Sequence, residues 1–230
     1  MLVVALVGAL AIAPSHFALY KPDGYLSNFV VNGRQKRRHH LLGALGPFPN
    51  RTMAVGRLDL DSEGLLLLTT SGALSRHVCG ARLEKEYWAQ LDGVVTDEAI
   101  ARLADGVPIA GVFGADGAPY RTRPCRVARI AAPPLPARRK RVRDRRRLEG
   151  GAWLDVPTSW ISLTLREGKN RQVRRMTSAV GFPCLRLVRA RIGGLELGDM
   201  APGEARPLSA AELREHALCP LGFDEADSVS

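Results

Sequence analysis

The chain has few of the residues that mark metal, redox and disulfide-rich proteins. Only four of its 230 residues are cysteines, and they lie far apart: Cys79, Cys125, Cys184 and Cys219. Zinc and redox sites use closely spaced cysteines or histidines, so this spacing favours reduced thiols in a cytoplasmic protein. The chain also lacks a glycine-rich fingerprint for phosphates or dinucleotides. We therefore expect neither a structural metal nor a bound cofactor.

Long apolar runs are missing as well. A membrane-spanning helix needs about 20 apolar residues, and no segment reaches that length. Residues 1–16 form the most apolar stretch, and Ala11, Ile12 and Ala13 imitate a signal-peptidase site. Because no Lys or Arg precedes the run, a start placed too far upstream or a first strand packed on the sheet is preferred to a secretion signal. We expect a cytoplasmic monomer with no membrane contact.

Positive charge is abundant but unevenly distributed. The net charge is +10, and residues 138–147 hold eight basic residues and one acid, so the rest of the chain carries only +3. A concentrated basic segment suits a polyanionic partner, because each neutralised phosphate releases counterions. A solvated loop without a partner is the alternative. The segment lies inside a proline- and arginine-rich loop, residues 133–151, which interrupts the pattern of regular elements.

Hydrophobic patterning predicts alternating strands and short helices. Strands are predicted at residues 17–20, 65–68, 85–91 and 161–165, and helices at residues 96–103 and 170–180. The run from Leu65 to Leu68 is typical of a strand covered on both faces. In the 85–91 strand, Tyr87 faces one side and Trp88 the other, where it is expected in the core. Asn170 is the predicted N-cap of the second helix.

Together these elements indicate an α+β fold with a mixed, mainly antiparallel sheet, flanking short helices and a central cleft. The main domain is expected to span residues 17–208 as two sub-lobes. Residues 209–230 are acidic and are expected to form a flexible tail.

One acidic loop and one basic helix carry the chemistry. Asp59 is followed by Asp61 and Glu63 in a spacing that imitates a calcium loop, but the twelfth position is Thr70 and not a bidentate Glu. A two-metal nuclease core is a further reading that lacks additional acids. Without other context, Asp59 is equally well explained as a turn residue.

The helix predicted after Gly168 is unusually basic, with Lys169, Arg171, Arg174 and Arg175 in its first turns. Arg174 lies beside the apolar face, where a cation needs a partner. We expect Asp59 to be that partner and to have a depressed pKa as a result. The other three cations are expected to point outward, towards phosphates.

Several separated motifs now resemble one enzyme family, the pseudouridine synthases of the group that includes the ribosomal small-subunit synthase A. The motifs are Lys21 with Pro22, GRLDLDSEGLLLLTT at residues 56–70, KEY at 85–87, EGKNRQVRRM at 167–176 and GFP at 181–183. The resemblance covers residues 17–208. Within the group, PTSW at residues 157–160 and the lack of an S4-type RNA-binding module resemble the large-subunit synthase E branch.

The resemblance implies a role for individual residues. Asp59 matches the catalytic aspartate and Arg174 the basic residue that pairs with it. Tyr87 matches the tyrosine that stacks on the target base, Arg57 the arginine that fills the gap left by the flipped nucleotide, and Leu185 an apolar pocket residue. The remaining residues expected to bind RNA or substrate are Lys21, Lys169, Arg171, Arg175, Arg138, Arg139 and Arg141.

The implied reaction breaks the N1–C1′ bond of uridine, turns the uracil and rejoins it through C5, which requires no cofactor. Asp59 either attacks C1′ or removes the 2′ proton. The expected partner is ribosomal RNA, that of the large subunit in particular. The alternatives are a catalytically silent RNA-binding or ribosome-assembly factor on the same scaffold, and a metal-dependent nuclease built on Asp59, Asp61 and Glu63.

Overall fold

One nine-stranded sheet is the framework of the chain. The computed structural model describes residues 15–30, 39–80, 83–136, 145–147, 153–155 and 157–219. The strands are β1 (His16–Lys21), β2 (Tyr25–Leu26), β3 (His40–Leu41), β4 (Met53–Val55), β5 (Glu63–Thr69), β6 (Lys85–Asp92), β7 (Pro108–Phe113), β8 (Pro119–Arg121), β9 (Arg126–Ile130), β10 (Arg145–Arg147), β11 (Trp153–Asp155), β12 (Thr158–Leu165), β13 (Cys184–Ile192), β14 (Leu195–Glu196) and β15 (Ala205–Pro207). The helices are α1 (Gly72–Gly80), α2 (Asp97–Asp105), α3 (Gln172–Ala179) and α4 (Ala210–Glu215), and a 3-10 turn covers Leu42–Leu45.

Strand β13 lies at the centre of this sheet. The strand order is β15-β1-β5-β13-β6-β12-β9, with β4 added beside β5 and β14 beside β13. β13 runs parallel to β5 and antiparallel to β6, while the other pairings described in this sheet are antiparallel. The predicted α+β architecture with a mixed, mainly antiparallel sheet is confirmed.

Strand β5 is buried over its whole length, as its apolar run predicted. Leu65 and Leu67 belong to a core shared with α1, β13 and α4, whereas Leu66 and Leu68 belong to a second core with Leu19. Alternate side chains of a strand point to opposite faces, so both faces of β5 are covered. Each fully buried leucine contributes about 1.5–3 kcal/mol, which makes this strand the anchor of that half of the sheet.

A third core joins β6 and β12 to α2 and α3. Thr96 is the N-cap of α2, as predicted, and its Oγ1 accepts a hydrogen bond of 3.2 Å from Ala99 N. Ala89 and Leu91 pack in this core with Tyr87 against its edge. Trp88 does not fill a core as expected: it is half-buried on the opposite face, where its indole donates to Glu86.

Both predicted end segments extend further into the fold than expected. His16 is buried in β1, so the domain begins before residue 17. At the other end, residues 209–219 are not a flexible tail, because α4 begins with a capping box between Ser209 and Glu212 and buries Leu213 and Leu218. The spacing of an N-cap serine and a glutamate three residues later is itself a readable helix start.

The proline- and arginine-rich loop is only partly described. β10 lies within it and pairs antiparallel with β11, which follows directly after it, where an insertion or a long loop was expected. Leu135 packs against the core, and Pro136 O accepts a hydrogen bond from Arg186. Arg138, Arg139 and Arg141 lie outside the described residues. None of the described helices is long and apolar enough to span a membrane.

Candidate active site

The loop that carries Asp59, residues 56–62, is fixed by buried hydrogen bonds. Ser27 binds both backbone groups of Leu58, donating to its carbonyl oxygen at 2.7 Å and accepting from its N–H at 2.9 Å. Lys21 Nζ donates to Ser62 O at 2.7 Å. Leu58 is itself buried against Leu66 and Leu68 in the core. The loop is thus held from within at two points, which leaves Asp59 on a rigid support.

Lys21 occupies a different place from the one predicted. Its side chain is fully buried, and its amine bonds the carbonyl oxygens of Pro22 and Ser62. Burial lowers the pKa of Lys21 to about 8, although Asp23 and Glu63 nearby favour the charged form. The assignment of Lys21 to RNA contact is therefore wrong, because the amine supports the Asp59 loop from inside.

The ion pairs around Asp59 also differ from the prediction. Arg171, not Arg174, reaches Asp59, with 3.4 Å between Nη1 and Oδ2. The same guanidinium makes a bidentate pair with Asp61 at 3.0 Å for each bond. Arg174 instead donates to Asp61 O at 2.7 Å and to Cys184 O at 3.0 Å. The predicted Arg174–Asp59 pair is wrong, and the expectation that Arg171 points only outward is wrong with it.

The local backbone explains this exchange of partners. α3 begins at Gln172, and the preceding residue, Arg171, has a left-handed conformation with φ 50°. Asn170 is therefore not the N-cap, and no side chain caps this helix. The turn places Arg171 one step outside the helix, over the acidic loop. Non-glycine residues in this conformation are uncommon and cluster at functional sites.

Asp59 and Asp61 differ in how closely cations surround them. Burial opposes ionisation of Asp61, but the hydrogen bond from Arg171 and the charge of Arg174 outweigh it and hold the pKa of Asp61 below its usual value. Arg171 has a raised pKa because of its hydrogen bond to Asp61 and the charge of Asp59. Asp59 is 29% exposed and keeps only the longer contact to Arg171. Asp61 therefore anchors the guanidinium through the closer contacts, although its side chain, at 42% exposed, is the more accessible of the two.

A cavity of about 120 Å³ opens beside Asp59. Its walls are formed by Arg57, Leu58, Asp59, Ser62, Tyr87, Leu165, Glu167, Gly168, Lys169, Arg171, Gln172, Val173 and Leu187. The volume is below the roughly 300–1,000 Å³ of sites that enclose drug-sized ligands, so it suits a group of single-ring size. An acid, an aromatic ring, an apolar floor and cations thus surround a space for one small planar group.

Five of the predicted site residues, Asp59, Tyr87, Arg57, Lys169 and Arg171, meet at this cavity. Leu185 is not among the residues that line this cavity, so its assignment as a pocket residue stays a prediction. A β-bulge between Cys184 and Arg186 shifts the register of β13, so Leu187 fills the apolar wall instead. A strict alternation of inward and outward side chains fails wherever a bulge inserts one residue.

Two further predicted cations, Lys169 and Arg175, have partners within the protein. Lys169 lines the cavity and places Nζ 4.5 Å from the centre of the Tyr120 ring. Arg175 turns towards β7 and bonds the carbonyl oxygen of Ala110, with a further bond of 3.2 Å to Asn170 Oδ1. The expectation that Arg175 points outward to phosphates is wrong.

Glu167 organises the entrance to α3 and was missed in the sequence. Its carboxylate accepts from Tyr120 Oη and Gln172 Nε2, each at 2.6 Å, and from Arg123 N at 3.0 Å. The hydrogen bond to Glu167 raises the pKa of Tyr120. The signal available was its position at the start of the basic motif, but its partner Tyr120 lies in an unremarkable segment and is brought there by the fold.

The carboxylates of Asp59, Asp61 and Glu63 do not point to a common site. Asp61 is bound by Arg171 and Arg174, and Glu63 is buried in a bidentate pair with Arg186 at 3.0 and 2.8 Å. Within the described part of the chain, no group of three or more His, Cys, Asp or Glu side chains is placed to hold a metal ion. This arrangement argues against the nuclease reading.

Comparisons with known proteins agree with this geometry. Residues 15–179 match the RNA pseudouridylate synthase family. The chain is 40% identical over 199 residues to the ribosomal large subunit pseudouridine synthase E of Xanthomonas campestris pv. campestris, which covers 85% of this chain and 96% of the relative. It is 32% identical over 205 residues to the ribosomal small subunit pseudouridine synthase A of Escherichia coli strain K12, covering 87% and 73%.

A solved crystal structure of a pseudouridylate synthase superposes with a TM-score of 0.66 at 25% sequence identity, covering 88% of this chain and 74% of that one. The family match spans the Asp59 loop, Tyr87 and the whole basic motif that follows Gly168. The chain belongs to the RNA pseudouridylate synthase family.

Proposed function

We propose that the substrate is large-subunit ribosomal RNA and that Asp59 is the catalytic residue for isomerisation of a uridine within it. The observation that carries the proposal is the cavity that brings Asp59, Tyr87 and Arg57 together beside Arg171. Its size suits one pyrimidine, and the relative with the most complete mutual coverage reported above is named as a large-subunit enzyme.

The geometry requires the target nucleotide to leave the RNA stack. Extrusion of a base costs about a few kcal/mol. Stacking on the Tyr87 ring returns roughly 1–3 kcal/mol, and Arg57, which is exposed at the mouth, is placed to occupy the gap in the RNA. Lys169, a cation that lines the same cavity, neutralises phosphate charge as the strand approaches.

Catalysis then depends on an ionised Asp59 next to the sugar. Asp59 either attacks C1′ or takes the 2′ proton, and in both routes the N1–C1′ bond breaks. The C5–C1′ bond then forms, C5 loses its proton and N1 gains one, so that no electron acceptor is consumed. The apolar wall of Leu58 and Leu187 retains the freed uracil and excludes water during its rotation.

The test separates Asp59 from its acidic neighbour. Asp59→Asn is expected to abolish pseudouridine formation in large-subunit ribosomal RNA while RNA affinity stays within about twofold, since the amide keeps the shape but cannot act as base or nucleophile. Asp61→Asn should weaken activity only in part, through the position of Arg171. Asp199→Asn, at an exposed turn, is the matched control.

Chemical mapping of pseudouridine in ribosomal RNA from cells with and without this gene tests the substrate. A missing pseudouridine in large-subunit RNA, restored by the wild type and not by Asp59→Asn, supports the proposal. An unchanged map, or modification confined to small-subunit RNA, contradicts the assignment of substrate. Activity that survives Asp59→Asn on purified RNA contradicts the assignment of the catalytic residue, and an Asp59-independent assembly defect favours the silent binding factor.

A further inference from the structure

A second cavity, of about 270 Å³, adjoins the Asp59 cavity. The two share Arg57 and Tyr87 as a common wall, together with Glu167 and Gly168. The second cavity extends from that wall towards α1 and the central strand β13. Its occupant would therefore lie next to whatever group stacks on Tyr87.

Arg189 contributes a buried guanidinium to this second cavity. The residue is only 3% exposed, and it lies directly opposite Tyr87 in the pairing of β13 with β6. Its Nε donates to Leu65 O at 2.7 Å, but its Nη2, although buried, makes no hydrogen bond to the described part of the chain. A buried cationic donor without an acceptor is costly, so the arrangement is complete only when an anion is bound.

Lys85 brings a second cation to the same cavity. It precedes Tyr87 by two residues on β6, and its Nζ donates to Leu83 O at 3.1 Å. Burial lowers the pKa of Lys85, and the charge of Arg189 lowers it further. The two cationic side chains therefore repel each other across the cavity that they line. An ion pair that only stabilised the fold would instead combine a cation with an acid.

The other charged groups at the cavity do not relieve this excess. Arg57 and Arg166 add two further cations to its walls. Glu167 is the acid among its lining residues, and its single negative charge is outnumbered by the four cations Arg57, Lys85, Arg166 and Arg189. Arg166 is paired outside the cavity with Glu84. Positive charge concentrated in a partly enclosed space raises the local concentration of anions.

We propose that this second cavity binds one phosphate group of the RNA backbone beside the target uridine, with Arg189 and Lys85 as its principal ligands. The inference rests on the proposed function, since the shared wall of Tyr87 and Arg57 places the phosphate next to the extruded base. A phosphodiester supplies the acceptor that Arg189 Nη2 lacks and offsets the repulsion from Lys85. The site therefore fixes the strand on the side of the base that faces away from Asp59.

Two binding measurements test the site without relying on turnover. The first is a calorimetric titration of the full chain with inorganic phosphate at low salt. Lys85→Gln and Arg189→Gln should each weaken phosphate binding about tenfold or more, and Lys85→Arg, which keeps the charge, should restore it. Arg102→Gln removes the same charge from the exposed face of α2 and should change nothing.

The second measurement is the salt dependence of binding to a large-subunit ribosomal RNA transcript. Loss of one phosphate contact lowers the slope of log K against log salt by about 1. Lys85→Gln and Arg189→Gln should each produce that loss, and the double variant should produce no more, because both residues bind the same phosphate. Arg102→Gln should keep the wild-type slope.

An unchanged slope in Lys85→Gln overturns the proposal, even if inorganic phosphate still binds, because the site would then hold a free anion and not the RNA strand. Unaltered phosphate affinity in the same variant also overturns it. Arg189 also bonds the core strand β5, so Arg189→Gln can fail to fold. In that case the result for Lys85→Gln decides the test. Neither binding measurement depends on catalysis, so both can be interpreted even if Asp59→Asn remains active.

Discussion

Arg174 donates a hydrogen bond of 2.7 Å from its Nη2 to the backbone carbonyl oxygen of Asp61. Its other terminal nitrogen, Nη1, donates to Cys184 O at 3.0 Å. One largely buried guanidinium thus joins the acidic loop to the start of the central strand β13. The role of Arg174 follows from this bridge: it sets the shape of the loop, and Arg171 supplies the charge beside Asp59.

Arg174→Lys should slow the chemical step while RNA affinity stays within about twofold. A single ammonium cannot reach both carbonyl oxygens in the fork geometry of the guanidinium, so the loop shifts. A displacement of about 1 Å at a reacting group costs on the order of 100-fold in rate. Single-turnover kinetics on purified RNA measures the effect, with Arg214→Lys on the exposed side of α4 as the control. A wild-type rate in Arg174→Lys would contradict a positioning role.

Gly64→Ala should destabilise the fold by on the order of 3 kcal/mol or more. Gly64 has φ +101°, and a Cβ there would lie 2.7 Å from Arg189 N and closer still to Arg189 O, where β5 and β13 pair in parallel. Urea denaturation measures the change. Gly198→Ala is the matched control, because Gly198 has φ +56° with open space around its Cβ position and should lose only about 1–2 kcal/mol. Equal losses at the two positions would refute the close-packing argument.

Burial of Lys21 should make the free energy of unfolding rise with pH in the alkaline range. Its folded-state pKa is about 8, against 10.5 for the unfolded chain, so between these values the unfolded state binds more protons. The free energy of unfolding therefore increases with pH across this window, by on the order of 3 kcal/mol from this group. Below pH 8 both states are protonated and the contribution is constant.

The measurement for Lys21 is the difference in unfolding free energy between wild type and Lys21→Met at several pH values. That difference should grow in favour of the wild type from pH 8 to 10.5. Arg102→Met, which removes an exposed charge from α2, should show no such trend. A flat difference for Lys21→Met would mean that the amine is not held in a low-dielectric site.

Leu213→Ala should lower the free energy of unfolding by about 2–5 kcal/mol, because the side chain is fully buried in the core that includes β5 and β13. Ser209→Ala, which removes the cap of α4, should lower it by about 1 kcal/mol. Glu215→Ala, on the exposed side of the same helix, is the control. Near-zero effects for both Leu213→Ala and Ser209→Ala would restore the view of this segment as a loose tail.

Patterns that depend on neighbouring residues were readable from the sequence. The uninterrupted run from Leu65 to Leu68 predicted a strand covered on both faces, and Thr96 before two acids predicted a capped helix, because both depend on local periodicity and capping. The motifs around Asp59 and Gly168 identified the family since their residue types and order are distinctive. The meeting of Asp59, Tyr87 and Arg57 at one cavity follows from those motifs.

Partnerships that depend on backbone detail were not readable. The left-handed turn at Arg171 shifts the start of α3 and exchanges the roles of Arg171 and Arg174. The bulge beside Cys184 shifts the register of β13, and Leu187 lines the Asp59 cavity. Lys21 lies next to a turn signal that suggests exposure, yet β1 carries it into the interior. Each of these outcomes is set by tertiary geometry and produces no periodic pattern in the sequence.

The position of β13 has a consequence for how the protein is made. β5 and β6 are complete by residue 92, but they contact each other through a strand that begins at residue 184. A nascent chain on the ribosome therefore holds two half-sheets with unsatisfied edges until nearly all of it has emerged. Such non-local pairing slows folding and leaves strand edges open to misassembly. We expect emergence of β13 to be the event that commits the newborn chain to its native structure.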